Sequence, residues 1–130
     1  MPKPPLTQAQ HNDAMSREVR KLHDSRGVQG VLIFETETGA FEDVAIDERQ
    51  SGMLHSLSKI HFEEQKRLLT HTFTRATVGD VALMALSSTG GEVLVVAAFP
   101  AGSEVIKSAR RLMRASVKRC EKIIARGIEA

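Results

Sequence analysis

The sequence has no tryptophan, no tyrosine and a single cysteine, Cys120. A lone cysteine excludes an internal disulfide and any multi-cysteine metal site, and it fits a reducing compartment. With phenylalanine as the only aromatic, stacking platforms for single-stranded nucleic acid would be thin. No apolar run comes near the roughly 20 residues that a membrane span needs, and residues Met1 to Leu6 lack the apolar stretch of a signal peptide. These features predict a cytoplasmic chain with no integral membrane association. An excess of charge is missing too: 18 Lys+Arg stand against 16 Asp+Glu, so any basic surface must be local, and a nucleic-acid partner is not expected. The phosphate-binding P-loop, GxGxxG, HExxH, GxSxG and CxxC are all absent. The five histidines, His11, His23, His55, His61 and His71, are scattered, whereas a metal ion needs convergent ligands. No catalytic residue, cofactor or metal is expected, and the chain reads as a non-enzyme.

What is present is a 130-residue chain, 42% apolar and 26% charged, the size and composition of one globular domain. Three of the four prolines lie in residues 1–6, which predicts a disordered tail before a domain over 7–130. Thr7 or Asn12 caps a first helix reaching about Asp24, with Met15, Val19 and Leu22 on one face. Gly27 and Gly30 stop it and lead into a buried strand, Val31 to Phe34. A turn at Gly39 brings back a second strand over Phe41 to Ile46. From about Glu48 to Leu68 the period is helical, and Met53, Leu54, Leu57, Ile60, His61 and Leu68 fall within an arc of about 120°. Leu69 to Thr77 alternates as a half-exposed third strand. Val81 to Ser87 and the almost wholly apolar Glu92 to Phe99 follow as strands four and five, joined at Thr89-Gly90-Gly91. Ser103 is a candidate N-cap for a last helix, whose stripe runs from Val105 through Met113 and Cys120 to Ile124 and which ends near Gly127. The order αββαβββα predicts an α+β fold: one five-stranded antiparallel sheet with helices on both faces.

Within this frame few side chains ask for a functional explanation. Cys120 lies mid-stripe and reads as a buried structural thiol. His61, at the edge of an apolar stripe, reads as a packed, hydrogen-bonded imidazole. Six carboxylates between Glu35 and Glu48 lack calcium-loop spacing and read as a solvated hairpin. Phe62 points about 180° from Met53, with Lys59 and Lys66 near it, and is a candidate anchor for a protein partner. On the last helix Lys107, Arg110, Arg111, Arg114, Lys118 and Lys122 form a basic stripe. An ordinary soluble helix face accounts for it; an acidic protein, anionic lipid or nucleic acid are the functional alternatives. If the third strand is a sheet edge, its unpaired backbone invites another copy or a partner.

The element order and two local patterns resemble the Roadblock family, the dynein-light-chain-like, longin-related dimerisation modules. Gly27-Val28-Gln29-Gly30-Val31-Leu32-Ile33, followed by Gly39, looks like the family's opening strand and turn glycine, and Gly91 to Ala97 is similar to its final strand. The resemblance spans about residues 8 to 126. It implies a dimerisation and scaffold module, homodimeric or heterodimeric with a related domain, that joins third strands into a ten-stranded sheet and pairs the middle helices. It further implies binding and regulation of a small Ras-like GTPase, and the long last helix looks more like the prokaryotic GTPase-associated members than the motor light chains. On that resemblance the dimer interface is expected at Met53, Leu57, Thr70, Thr72, Phe73 and Thr74. Partner contacts are expected at Lys59, Phe62 and Lys66, with Arg111, Arg114 and Lys118 on the basic face. Rival readings are a dynein-associated adaptor, a small-ligand sensor on a profilin- or PAS-like sheet, and a basic-helix adaptor on nucleic acid or membrane.

Overall fold

The computed structural model describes residues 3–37 and 41–129; the expected turn glycine, Gly39, lies outside them. Helix α1, Gln8–His23, starts at Thr7, whose hydroxyl accepts from the Gln10 N–H at 3.1 Å while the Gln10 side chain accepts from the Thr7 N–H at 3.0 Å. This reciprocal pair satisfies two of the backbone donors that a helix start leaves free. Strands β1 (Gly30–Glu35) and β2 (Phe41–Val44) precede helix α2 (Glu48–Arg67). Strands β3 (Phe73–Val78), β4 (Val81–Ser87) and β5 (Val93–Pro100) then lead to helix α3 (Ile106–Arg126).

All strand pairs are antiparallel, in the order β2-β1-β5-β4-β3. The apolar β5 occupies the centre, where both its faces are covered. Alternation along each strand sorts the side chains onto two cores. Ile33, Met84, Val95 and Phe99 meet α1 and α3 on one face; Leu32, Leu83, Ala85 and Val96 meet Leu54 and Leu57 of α2 on the other. The α+β fold with helices on both faces is therefore as the sequence predicts.

The two glycines after α1 have distinct tasks. Gly27 has φ +84°, in the left-handed region that favours glycine, and a Cβ there would lie 2.5 Å from Val105 Cγ2. Gly30 instead allows close approach: a Cβ would lie 2.5 Å from Gln50 Oε1 and 3.2 Å from the Val44 carbonyl. Gln50, almost wholly buried, accepts from the Ile46 N–H at 3.0 Å and bonds the Gln29 side chain at 3.2 Å, which seats the start of α2 against β1.

Several boundaries differ from expectation. The third strand begins at Phe73, four residues later than Leu69, because the chain first closes a turn (His71 N–H to Leu68 C=O, 2.9 Å) to pass from the end of α2 to the sheet rim. The second strand ends at Val44 rather than Ile46. Ser103 does not cap α3: the helix is entered through short i+3 bonds from Ser103 to Ser108, its N-cap is Val105, and the Ser103 hydroxyl is buried without a partner. The segment expected to be a solvated tail is packed at its last residue. Leu6 is 8% exposed, donates to the Gly127 carbonyl at 3.0 Å and accepts from the Glu129 N–H at 2.7 Å. Ile60 and Leu68, placed in the core stripe of α2 by periodicity, are 49% and 54% exposed. The sheet covers only the arc centred on Leu54, Leu57 and His61, which leaves Ile60 at its margin in water, while Leu68 is the C-cap of α2, in extended backbone beyond the helical stripe.

Candidate interaction surface

The sheet has two rims. The β2 rim is four residues long, acidic, and tied inward: Glu42 accepts from the Ser16 hydroxyl of α1, and Asp43 accepts from Ser51 Oγ of α2 at 2.6 Å. Short, charged strands are poor templates for pairing. The β3 rim is longer and apolar at its margin. One side of Phe73–Val78 pairs with β4, and the other has no strand beside it among the described residues. Val78 is 41% exposed, and Met53 lines one cleft with Val78 and Val81, which places the Met53 flank of α2 over this rim. Ile60, two helical turns further on, continues that flank. Open strand backbone and a row of apolar side chains, Ile60 and Val78 exposed and Met53 part-buried, thus lie together.

A buried polar chain holds the rim to the helix. Gln65 Nε2 donates to Ser87 Oγ at 3.0 Å and to the His71 carbonyl at 3.2 Å. Ser87 Oγ lies 2.9 Å from His61 Nε2, His61 Nδ1 lies 2.8 Å from Thr74 Oγ1, and Thr74 Oγ1 lies 2.6 Å from His71 Nε2. If the Ser87 hydroxyl donates to His61 Nε2, the His61 Nδ1–H donates to Thr74 and the Thr74 hydroxyl donates to His71. In this direction every link has one donor and one acceptor. It requires a neutral His61. Burial, and then the proximity of His71, push its pKa down to about 4. The packed, hydrogen-bonded imidazole expected from the sequence is what the structure contains, and it spans α2, β3 and β4.

The expected interface residues divide. Met53 and the β3 backbone lie on the rim. Leu57 is 2% exposed in the α2-side core, and the Thr74 hydroxyl is occupied by the histidines, so neither offers its side chain outward. Thr70 is exposed in the turn before β3, and Thr72 precedes the strand, its carbonyl accepting from the Ser87 N–H at 3.0 Å. Phe73 faces the α3 side, with the Arg110 guanidinium 4.2 Å above its ring. Ile60 and Val78 were missed as rim residues. Val78 could have been found as the last apolar residue before Gly79-Asp80; Ile60 could not, because periodicity alone gives it to the core.

Among the expected partner contacts, Phe62 is not an isolated exposed ring. It is half-buried, edge-on to Phe34 of β1 at 5.3 Å between centroids and 65° between planes. With Lys66, Leu69 and the Thr89-Gly90-Gly91 hairpin it walls a surface groove of about 700 Å³ on the flank of α2 away from β3. Lys59 is exposed but does not line that groove. Arg111, Arg114 and Lys118 are exposed on α3. Arg114 and Lys118 share a cleft with Arg110, and Arg111 stands outside it.

Two features of the α1/α3 layer are structural. Cys120 is fully buried, and its thiol pKa is pushed up to about 12, first by burial and then by Glu18. His11 Nε2 lies 2.7 Å from Glu35 Oε2, both buried, while Arg119 donates to Glu18 at 2.8 Å and ties α3 to α1. Among the described residues no group of three His, Cys, Asp or Glu could hold a metal ion, and no helix is long and apolar enough to cross a membrane.

No protein-family model and no curated protein matches the sequence. Solved structures do match. The chain is similar in structure to the gliding protein MglB from Thermus thermophilus, with a TM-score of 0.67 at 11% identity, covering 96% of this chain and 98% of that one. It is also similar to MglC from Myxococcus xanthus, with a TM-score of 0.53 at 10% identity over 83% and 98% of the two chains. An MglB structure with a tetrameric arrangement gives 0.54 at 14% identity over 95% and 99%. At these identities the likeness is one of fold: the Roadblock-like architecture implied by the glycine-flanked first strand is the architecture of this chain.

Proposed function

We propose that this chain is a non-enzymatic dimerisation and scaffold module that binds and regulates a small Ras-like GTPase. The observation that carries the reading is the open β3 rim bordered by the apolar flank of α2, the part-buried Met53 and the exposed Ile60, with Val78 at the strand end. A second copy or a related domain adding its own β3 would extend five strands to ten and cover these side chains, which removes both an unpaired edge and apolar surface from water. The fold shared with MglB and MglC supports this use, and the tetrameric arrangement of one MglB structure shows that a chain of this fold assembles. The GTPase part rests on the Roadblock resemblance. The chain would act by positioning the GTPase's own residues, since no side chain here is fixed as an arginine finger.

Sedimentation equilibrium tests the dimer, and affinity capture from the native cell, read for a Ras-like protein, tests the partner. Wild type should be dimeric at micromolar concentration, and Ile60→Asp with Val78→Lys should weaken association by at least roughly tenfold while leaving the fold intact. A wild-type chain that stays monomeric at 100-fold higher concentration would overturn the dimer, and capture of partners with no GTPase among them would overturn the regulator.

A further inference from the structure

We propose that the cleft between the start of β3, the β4–β5 hairpin and the middle of α3 is a binding site for the phosphate group of a phosphomonoester. The cleft has a volume of about 210 Å³, and Arg110, Arg114 and Lys118 line it together with Thr72, Thr89 and one carboxylate, Glu121. Three cations at i, i+4 and i+8 share one face of a helix and converge on one cleft.

Like Arg111 and Lys122, but unlike Lys107 and Arg119, these cations have no ion-pair partner among the described residues, and what sets them apart is that they converge on one cleft. Lys107 reaches Glu104 at 3.3 Å and Arg119 reaches Glu18 at 2.8 Å, whereas among the described residues no carboxylate lies within ion-pair distance of Arg110, Arg114 or Lys118. Arg110 also makes a cation–π contact, its guanidinium carbon 4.2 Å from the centre of the Phe73 ring. Two serines that line the cleft have their hydroxyls engaged elsewhere. Ser87 turns to His61 and Gln65 on the other face of the sheet, and Ser88 Oγ accepts from the Glu92 and Val93 N–H groups, so these two form wall. Thr72 and Thr89 also line the cleft.

Charge and size select the ligand. Three cations against one carboxylate suit a group of charge about −1.5 to −2 with three acceptor oxygens, and guanidinium forks match it in geometry. A single carboxylate would leave one or two of these cations unmatched. A nucleobase would find no open ring, since Phe73 is covered by Arg110. The site stands independently of the GTPase reading.

The test uses the intact, ¹⁵N-labelled chain at fixed ionic strength, titrated with O-phosphoserine and with inorganic phosphate. Saturable amide shifts are expected at Thr72, Thr89 and Arg114. Arg114→Ala with Lys118→Ala, both exposed positions, should keep a dispersed spectrum and weaken binding at least roughly tenfold, whereas Arg111→Ala with Lys122→Ala should leave it unchanged. Shifts that do not saturate, or that fall equally in both double variants, overturn the site. A vesicle arm separates the sources of the phosphate. Sedimentation with phosphatidic acid vesicles that phosphoserine competes away, and that the Arg114/Lys118 variant loses, supports the site and assigns it to a lipid headgroup. Binding of phosphoserine without vesicle binding supports it and assigns a soluble compound. Equal binding to phosphatidic acid and phosphatidylserine vesicles, with none to phosphoserine, overturns it in favour of a diffuse basic face.

Discussion

Acidification should destabilise the chain through His61, and the size of the effect follows from its place in the fold. The imidazole is fully buried between α2 and β4, and its folded pKa lies at about 4 against an ordinary value of 6.5. In the unfolded chain it protonates as pH falls through 6.5, while in the folded chain it stays neutral until about 4. Between those values the unfolded state binds more protons, so stability is full above pH 6.5 and is lost as pH falls towards 4. At pH 5 the loss relative to pH 7.5 is about 2 kcal/mol, approaching about 3 kcal/mol at the lower limit. A proton on Nε2 would also reverse the hydrogen bond with Ser87, so the link from α2 to β4 is the one disturbed. The assay is urea unfolding at pH 7.5 and pH 5.0 for wild type and His61→Gln at one protomer concentration, since any dimer makes stability concentration-dependent. The His11–Glu35 pair is common to both proteins, so the difference between the two pH dependences isolates His61. Agreement of those dependences to within about 0.5 kcal/mol would refute the reasoning, given the roughly 2 kcal/mol expected.

Three further outcomes follow from packing and surface. Cys120, buried with its thiol pKa pushed up to about 12, should be unreactive towards Ellman's reagent at pH 8 in the folded chain and react fully in urea; prompt labelling of the native protein would contradict its burial. Gly30→Ala should cost about 1–3 kcal/mol by driving a methyl group into the Gln50 carboxamide and the Val44 carbonyl, read as a lowered urea midpoint with an unchanged slope. Loss of association in Ile60→Asp with Val78→Lys should occur without loss of helical circular dichroism, because both residues are exposed in the single chain and belong to neither core.

Much of the fold is legible in the amino-acid order because period and punctuation are local properties. The continuous apolar runs of β4 and β5, the stripe of α3 from Ala109 to Cys120 and the capping box at Thr7 each identify an element within a few residues of its own sequence. Gly27 and Gly30 likewise mark the turn after α1 before any contact is known, whereas the close approach at Gly30 emerges only from the packing of Gln50 and Val44. Cys120 and His61 were legible as buried because each lies within or beside an apolar stripe.

What the order of residues could not decide is where the sheet stops. Whether Ile60 is core or surface depends on how far β3 extends beneath α2, and that distance is set by strand order and by the turn that delays β3 to Phe73. Phe62 turned inward for the same kind of reason: Phe34, 28 positions away in sequence, stands beside it across the α2–β1 contact. The gathering of Arg110, Arg114 and Lys118 with Thr72 and Thr89 is equally a product of three separate elements meeting at one corner. A helical wheel fixes the angle at which a side chain leaves its own axis; only the packing of that axis on a sheet of finite width determines whether water or protein lies at the end of it.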